Sequence, residues 1–263
     1  MRPRVPWRPC ADVWRRSGAV LMPVAVFLLI GAAWSFLTNA FEVSPLLLPG
    51  PVAVLHTMIE ERQVLVEAAV STMSEILLAT VIAIVAGLAT AVVIGTSRLV
   101  RRAVFPYILA TQVLPKVALA PILIAWFGIG MESRLVLAFL ISYFPMVINT
   151  LAGLLGTSEG VLRYAHSLAA SEWQILIKVR LPAATPSIVG GIKITAGVAV
   201  IGIVVGEFVA SDRGLGKVII DSSASLDTSL TVAATLIIGV LGLLLLGALE
   251  VVEKRIVYWQ PGR

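Results

Sequence analysis

Charged residues are scarce in this chain of 263 residues. Asp, Glu, Lys and Arg make up 13% of it, whereas a soluble domain averages about a quarter. Hydrophobic residues make up 59%, so the chain lacks the charged surface that a domain of this size needs in water. The composition therefore predicts that a lipid bilayer is the solvent for most of the chain.

Cysteine and histidine are also nearly absent. The single cysteine, Cys10, excludes a disulfide framework and a cysteine-cluster metal site, and we interpret it as a free thiol. The two histidines, His56 and His166, are expected on opposite sides of the membrane, so they cannot form a zinc site or a catalytic dyad together. No nucleophile with a neighbouring base is evident, which disfavours an intramembrane enzyme.

Long runs without charge predict the membrane spans, because a helix needs about 20 apolar residues to cross a hydrocarbon core about 30 Å thick. Four runs carry no charge: 17–41, 76–97, 135–158 and 228–249. Two further runs are interrupted: 103–131 contains Lys116 and three prolines, and 186–210 contains Lys193 and Glu207. We therefore expect an all-α polytopic membrane protein with six transmembrane helices, the first an uncleaved span rather than a signal peptide.

The distribution of Lys and Arg predicts the orientation, since these residues accumulate in cytoplasmic loops. One side carries most of them: Arg2, Arg4, Arg8, Arg15, Arg16, Arg98, Arg101, Arg102, Arg163, Lys178, Arg180, Lys254, Arg255 and Arg263. The opposite side carries Arg62, Arg134, Arg213 and Lys217. We expect both termini in the cytoplasm, as tails of residues 1–16 and 253–263 that flank one membrane domain of residues 17–252.

Two segments outside the spans have apolar residues near helical spacing. Residues 52–73, on the external side, predict a short interfacial helix or a pair of such helices. On the cytoplasmic side, YAHSLAASEWQILIKVRLPAATP (164–186) predicts a short amphipathic helix that lies on the membrane or fits a groove of a cytoplasmic partner. One side of this helix would carry Leu162, Ala165, Leu168, Ala169 and Trp173. Pro182 and Pro186 predict that one helix ends there and the next begins.

The cytoplasmic segment resembles the EAA loop of binding-protein-dependent ABC importer permeases. That loop reads Glu-Ala-Ala, then a glycine three or four residues on, then Leu-Pro about a dozen residues later. Here the pattern falls on Arg163, Tyr164 and Ala165, then Ala169, then Leu181 and Pro182. Arg163 replaces the acid and Ala169 the glycine. If the glycine serves a backbone with positive φ, alanine there costs about 1 kcal/mol, and we expect the turn to differ in shape.

Four further segments are similar to the nitrate, sulfonate and taurine branch of that family, which includes permeases for pyrimidine vitamin precursors. They are LPGPVAVLHTM (48–58), LPKVALAPILIAWFGIG (114–130), YFPMVINTLAG (143–153) and GEFVASDRGLGKVI (206–219). They occur in the family's order, and the resemblance extends over residues 48–259.

The resemblance implies the fold of a type I ABC importer permease in the bacterial inner membrane. It implies a homodimer that binds two cytoplasmic ATPase subunits and receives a small solute from an external binding protein. The chain has no G-x-x-x-x-G-K-[ST] loop, so ATP and Mg would be used by the partner. We expect no cofactor on this chain and no nucleic acid partner.

The resemblance also implies that residues 159–185 are the coupling loop. Its residues at the ATPase contact would be Arg163, Tyr164, Ala165, His166, Leu168, Ala169, Trp173, Leu181 and Pro182. Trp173 is the expected anchor.

Four polar residues within the apolar runs are candidates for the translocation path: Gln112, Lys116, Asn149 and Glu207. Lys116 either attracts an anionic solute or is a paired or snorkelling structural lysine. Gln112 and Asn149 either line a path or form hydrogen bonds between helices, and Glu207 has a structural or gating role or contacts the solute. Gly214, Leu215 and Gly216 are either a tight turn or an external gate that meets the binding protein.

The alternative function is a self-contained secondary transporter or channel. Such a protein is expected to carry coupling acids or histidines deep within several helices. This chain offers Lys116 and three acids near the ends of its apolar runs, Glu75, Glu207 and Glu250, so the sequence favours the permease. The identity of the solute does not follow from these residues, although Lys116 favours an anion.

Overall fold

The structure is a computed structural model that describes residues 10–41 and 44–257, and every regular element among them is a helix. The five longest are α1 (Cys10–Ala40), α3 (Arg62–Thr96), α6 (Met131–Leu155), α9 (Leu181–Ala210) and α11 (Thr228–Ile256). The shorter helices are α2 (Pro51–Glu60), α4 (Arg98–Val113), α5 (Ala120–Phe127), α7 (Glu159–Ser167), α8 (Glu172–Ile175) and α10 (Leu215–Ala224). A 3-10 turn spans Lys116–Leu119 and a π-helical turn spans Leu176–Arg180. The predicted all-α class is confirmed.

Four helical segments are long and apolar enough to cross a bilayer: Arg62–Thr96, Met131–Leu155, Glu172–Ala210 and Thr228–Ile256. The pair Leu99–Val113 and Lys116–Phe127 adds a fifth if the two count as one span, and they are bent by 85°. Within α1, Leu28–Ala40 is a shorter apolar segment. The count of six spans and the cytoplasmic termini remain predictions, and residues 1–9 and 258–263 of the expected tails lie outside the described residues.

The helix α6 runs parallel to α3 in close contact along its length. The contacts of Glu75 with Arg134, Gly87 with Met146 and Gly95 with Leu154 mark a constant alignment of the two helices. A Cβ atom at Gly87 would lie 2.7 Å from the Cβ of Met146, so a larger side chain would push the helices apart. Small residues at this face permit the close approach.

The helix α9 packs against α6 and also contacts α3, and it runs antiparallel to α6. A Cβ atom at Gly202 would lie 2.7 Å from the Cα of Ala138, and one at Gly191 would lie 2.8 Å from the Cβ of Asn149. Both glycines therefore place backbone directly against α6. The three helices α3, α6 and α9 form the centre of the bundle.

The segment from α8 to the end of α9 corrects one expectation from the sequence. Pro182 and Pro186 were expected to end one helix and begin the next. Instead, Glu172–Ala210 is one continuous helical segment. In a regular α-helix the ring of Pro182 would clash with the carbonyl of Lys178. The π-helical turn Leu176–Arg180 is wider and relieves that clash without ending the helix.

Two ends of the bundle can be distinguished. At the first, which we call the α10 end, α2 and α10 pack on α3 and α11 through a cluster of buried residues: Val54, Leu65, Ala68, Leu215, Ala233 and Ala234. The second, which we call the α7 end, carries α7 and α8. Residues 52–73 were expected to form interfacial helices. Only α2 is a separate short helix, because the second part of that stretch is the beginning of α3 and buries Leu65 and Ala68.

Candidate functional site

The α7 end carries two short helices whose first turns are capped by serines. The Ser158 side chain accepts a hydrogen bond from the Val161 N–H at the start of α7. Ser171 and Gln174 form a capping box at the start of α8, with bonds of 3.3 and 2.9 Å. Helices this short are marginal on their own, so these caps help to define the segment.

The turn between α7 and α8 has the backbone geometry that usually requires glycine. Ala169 has φ of +54°. Its N–H donates to the His166 carbonyl at 2.9 Å, and the Ala170 N–H donates to the Ala165 carbonyl at 3.2 Å. This pair of bonds is a Schellman motif with Ala169 at its left-handed position. The turn therefore adopts the left-handed form despite the alanine, rather than the different shape expected from the sequence.

Large apolar side chains on α7, on α8 and in the turn between them point away from the bundle. Tyr164 is 67% exposed, and Leu168 and Trp173 are each 65% exposed. Arg163 and His166 are also exposed, and His166 lies 3.9 Å from Glu172. Ala165 is instead buried, so the single apolar side predicted from Leu162 to Trp173 contains both buried and exposed residues. The outward-facing group is available to a partner.

The inward side of this segment is anchored in the bundle. Leu176 is buried with Leu154 of α6 and Ala184 of α9, and Leu181 packs against that cluster. Pro182 lies in the first turn of α9. A movement of α8 would therefore be transmitted directly to α9, because the two belong to one helical segment.

A cavity of about 680 Å³ lies between α7 and the ends of α3 and α6. Arginines from three elements reach it, namely Arg101, Arg163 and Arg180. Glu159 and Glu172 also line it, so charges of both signs are present. The cavity leaves space beneath α7 on the side that faces the bundle.

At the α10 end, the Glu207 carboxylate joins α9 to the start of α10. Glu207 is 2% exposed. Its Oε1 accepts from the Thr72 hydroxyl and its Oε2 from the Gly216 N–H, each at 2.7 Å. The Thr72 hydroxyl oxygen accepts from the Leu215 N–H at 2.8 Å. The N–H groups of Leu215 and Gly216, in the first turn of α10, thus donate to side chains of α3 and α9. A carboxylate is favoured here because the N-terminus of a helix carries partial positive charge.

Gly214 makes this arrangement possible. It has φ of +100°, and a Cβ atom there would lie 2.1 Å from Oε1 of Glu207. The predicted gate residues Gly214, Leu215 and Gly216 are buried; Gly214 and Gly216 lie against Glu207, a predicted path residue, and Leu215 bonds to Thr72. The structure brings these four residues together into one site.

A second buried network at the α10 end was not foreseen from the sequence. Arg134, 1% exposed, donates to both oxygens of Glu75 at 2.8 and 2.5 Å. It also donates to the Ala210 carbonyl at 3.0 Å and lies 3.5 Å from Asp212. The sequence placed Glu75 near the end of an apolar run and Arg134 among the few basic residues of the external side. The available signal for this pair was that the two residues carry opposite charges and were predicted on the same side of the membrane.

Two of the remaining path candidates, Gln112 and Lys116, lie at the break between α4 and α5, and the third, Asn149, lies on α6. The Lys116 ammonium lies 4.5 Å from the centre of the Phe144 ring, a cation–π contact. Gln112 is exposed, and Asn149 is half-buried with its amide donating to the Pro145 carbonyl at 2.8 Å. Glu207 lies about 24 Å further along α9 than Gly191, the neighbour of Asn149, at 1.5 Å per residue. The structure therefore does not bring Glu207 together with Asn149.

The described residues hold no group of three or more His, Cys, Asp and Glu that could bind a metal ion.

Lys193, the other charged residue of α9, pairs with Glu253 of α11. This pair joins α9 to the last turns of α11, which ends at Ile256.

Comparison with known proteins gives the chain clear relatives. Residues 79–258 match the family of binding-protein-dependent transport system inner membrane components. A probable ABC transporter permease protein of Haemophilus influenzae is 33% identical over 90% of this chain and 96% of its own length. The taurine transport system permease protein TauC of Escherichia coli is 30% identical over 97% and 94%, respectively. The formylaminopyrimidine transport permease protein ThiX of Halalkalibacterium halodurans is 28% identical over 94% and 98%.

The fold also has a relative among solved structures. A chain of the MetNI methionine ABC transporter in an inward-facing conformation superposes with a TM-score of 0.67 at 19% identity. The match covers 75% of this chain and 98% of that chain. At this identity, the likeness establishes the fold, which is that of a type I ABC importer permease.

Proposed function

We propose how the two ends of this chain work in transport. The premise is that the chain belongs to the family of binding-protein-dependent transport system inner membrane components. The chain is a multi-pass inner membrane permease of an ABC importer, and it is a transport subunit rather than an enzyme. The ATPase is a separate subunit, and we propose that ATP and Mg are bound there. We further propose that the α7 end faces the cytosol and the α10 end faces the binding protein.

The ATPase contact is proposed at the exposed part of α7 and α8. The observation that carries this proposal is the exposure of Tyr164, Leu168 and Trp173 on a segment that continues directly into α9. An apolar surface of this kind suits a groove on a partner, and a buried tryptophan often dominates the binding energy of an interface. Movement of the ATPase would then displace α8 and tilt α9 with it. Leu181 and Pro182 lie within this continuous helical segment, Glu172–Ala210.

Replacing Trp173 by Ala tests the contact. We expect the variant to insert normally and to lose copurification of the ATPase subunit by at least about tenfold, which is 1.4 kcal/mol. Trp126→Ala is the matched control, because Trp126 is similarly exposed but lies on α5. Equal retention of the ATPase by both variants would remove Trp173 from the contact.

The external gate is proposed at Gly214, Leu215 and Gly216. Glu207 and Thr72 hold this turn against α9 and α3, so a tilt of α9 would displace the start of α10. A binding protein that docks on α10 would be able to sense that displacement. In this proposal Glu207 acts on the gate, since both its oxygens already accept hydrogen bonds within the chain.

The solute path is proposed at the axis of a homodimer, with Lys116 as the residue that attracts an anionic group and Gln112 and Asn149 as further polar contacts. The relatives named for taurine and aliphatic sulfonates make a small sulfonate the first solute to test, and a formylaminopyrimidine the second. Lys116→Met is expected to lower uptake of a sulfonate in proteoliposomes that contain the ATPase and binding protein. Lys116→Arg, which keeps the charge, is the control. Uptake by the Met variant at the wild-type rate would make Lys116 structural.

A further inference from the structure

Arg180 lies in the continuous helical segment Glu172–Ala210, which we call the α8–α9 rod, and connects it to a second membrane helix, α3. It is the last residue of the π-helical turn, in which the Leu181 N–H bonds to the Leu176 carbonyl. Its Nη1 donates to the Gly95 carbonyl at 3.2 Å. Gly95 lies in the last turn of α3, where carbonyl groups have no partner within the helix and carry partial negative charge. A guanidinium group is well suited to bond such a carbonyl.

The contact point lies where α3 meets α6. A Cβ atom at Gly95 would lie 3.0 Å from Cδ1 of Leu154, and Leu154 is buried with Leu176 from the π-helical turn. The Arg180 side chain therefore reaches a position at which three helices are in contact. Any displacement of the turn relative to α3 would break this hydrogen bond.

The surroundings of Arg180 are not optimised for stability. Its Nε is buried and finds no acceptor among the described residues, which is unfavourable for a charged donor. Arg101, Arg163, Glu159 and Glu172 line the same cavity, so charges of both signs lie near it. Residues that break such rules are expected at sites where function, rather than stability, determines the side chain.

The opposite ends of the same two helices are also joined. Thr72 of α3 donates to Glu207 of α9 at the α10 end, as described above. With Arg180 at the α7 end, α3 and α9 are thus held by side-chain hydrogen bonds at both ends. The antiparallel helices would move together only while both connections persist.

We propose that Arg180 is a positioning residue of the transport cycle, which locks α3 to the α8–α9 rod so that both helices move as one body when the ATPase displaces α7 and α8. This inference rests on the proposed function and adds α3 to the helices that the ATPase moves. Loss of the lock would leave the ATPase bound and active, while its movement would no longer reach α3.

The test compares Arg180→Leu, Arg180→Lys and Lys178→Leu in complexes reconstituted with the ATPase and binding protein. Lys178 is the matched control, because it is a cation of the same turn whose side chain is exposed. We expect Arg180→Leu to keep ATP hydrolysis near the wild-type rate and to lose solute uptake per ATP by at least about fivefold, the lower end of typical coupling between sites. Arg180→Lys, which can still donate to Gly95, should recover most of the uptake, and Lys178→Leu should match the wild type.

Unchanged uptake per ATP in Arg180→Leu would overturn the inference, as would an equal loss in Lys178→Leu. Failure of the proposed function is distinguishable, because the wild-type complex itself would then show no ATP-dependent uptake.

A second measurement does not depend on the folding of the variants. Spin labels at positions 96 and 178, both exposed, report the distance between the end of α3 and the π-helical turn in the complex. We expect that distance to be the same in the nucleotide-free and ATP-trapped states. A change of about one helical turn, roughly 5 Å, between the two states would overturn the proposed lock.

Discussion

At the scale of the residue, Ala169 carries a local cost that the sequence had indicated. The turn between α7 and α8 needs a left-handed residue at this position, and alanine supplies it with φ of +54°. For an L-residue with a Cβ atom, that conformation costs about 1–2 kcal/mol. The side chain is exposed, so no packing compensates for the strain.

Ala169→Gly is therefore expected to stabilise the chain by up to about 1 kcal/mol, because glycine adopts this conformation without the clash. Thermal unfolding of the detergent-solubilised protein would measure the gain as a higher Tm. Ala170→Gly is the control, since the positive-φ residues of the described chain do not include Ala170. A lower Tm for Ala169→Gly than for the wild type would contradict the interpretation.

Glu75 and Arg134 form the most deeply buried ion pair described in this chain. Glu75→Gln removes the buried counter-charge of Arg134 and leaves only the exposed carboxylate of Asp212 at 3.5 Å, and we expect a loss of about 3–5 kcal/mol in the free energy of unfolding. Lys217→Met removes the exposed pair with Asp221 and should cost no more than about 1 kcal/mol. Denaturant titration of both variants measures the difference, and equal losses would argue against a special role for burial.

At the scale of the element, the approach of α6 and α9 depends on glycine at a contact between backbones. The Cβ of an alanine at Gly202 would meet the Cα of Ala138 at 2.7 Å. Backbone cannot move aside as a flexible side chain can, so the helices themselves would have to separate. Gly197, on the same helix, has nothing within 4 Å of its added Cβ.

We expect Gly202→Ala to lower the free energy of unfolding by about 1–3 kcal/mol through overpacking. Gly197→Ala should leave it unchanged or raise it slightly, because alanine is the better helix former. Both variants would be measured on the isolated permease chain in the same detergent. A loss of the same size in both would assign the effect to the glycine itself rather than to the contact.

At the scale of the whole molecule, orientation in the membrane is the property on which the proposed function depends. Ser171 and Arg213 lie in segments at opposite ends of the bundle, and both are exposed. In a Cys10→Ser background, Ser171→Cys should react with a membrane-impermeant maleimide only in inside-out vesicles. Arg213→Cys should react only in intact cells or spheroplasts. Reaction of Ser171→Cys from outside intact cells would refute the proposed direction of coupling.

Much of this protein was accessible from its sequence because the bilayer imposes strong constraints. The apolar runs and the break within the run 103–131 follow from local chemistry, and the segments 114–130 and 206–219 resemble the family that the comparisons show. The cost of an alanine at position 169 was also indicated, because backbone preference is local to a few residues, but the left-handed shape of the turn was not.

The sequence by itself determined that the chain is helical, that it is embedded in lipid and that a short polar segment interrupts its spans, because each of these depends on residues close together in the chain. Only the tertiary structure decided which distant side chains meet. It paired Glu75 with Arg134, placed Glu207 on the first turn of α10 and set Arg180 against the end of α3. These contacts join residues 59, 9 and 85 positions apart, and they depend on how α3, α6 and α9 are aligned. That alignment is fixed by the packing of small residues between helices, which no local pattern specifies.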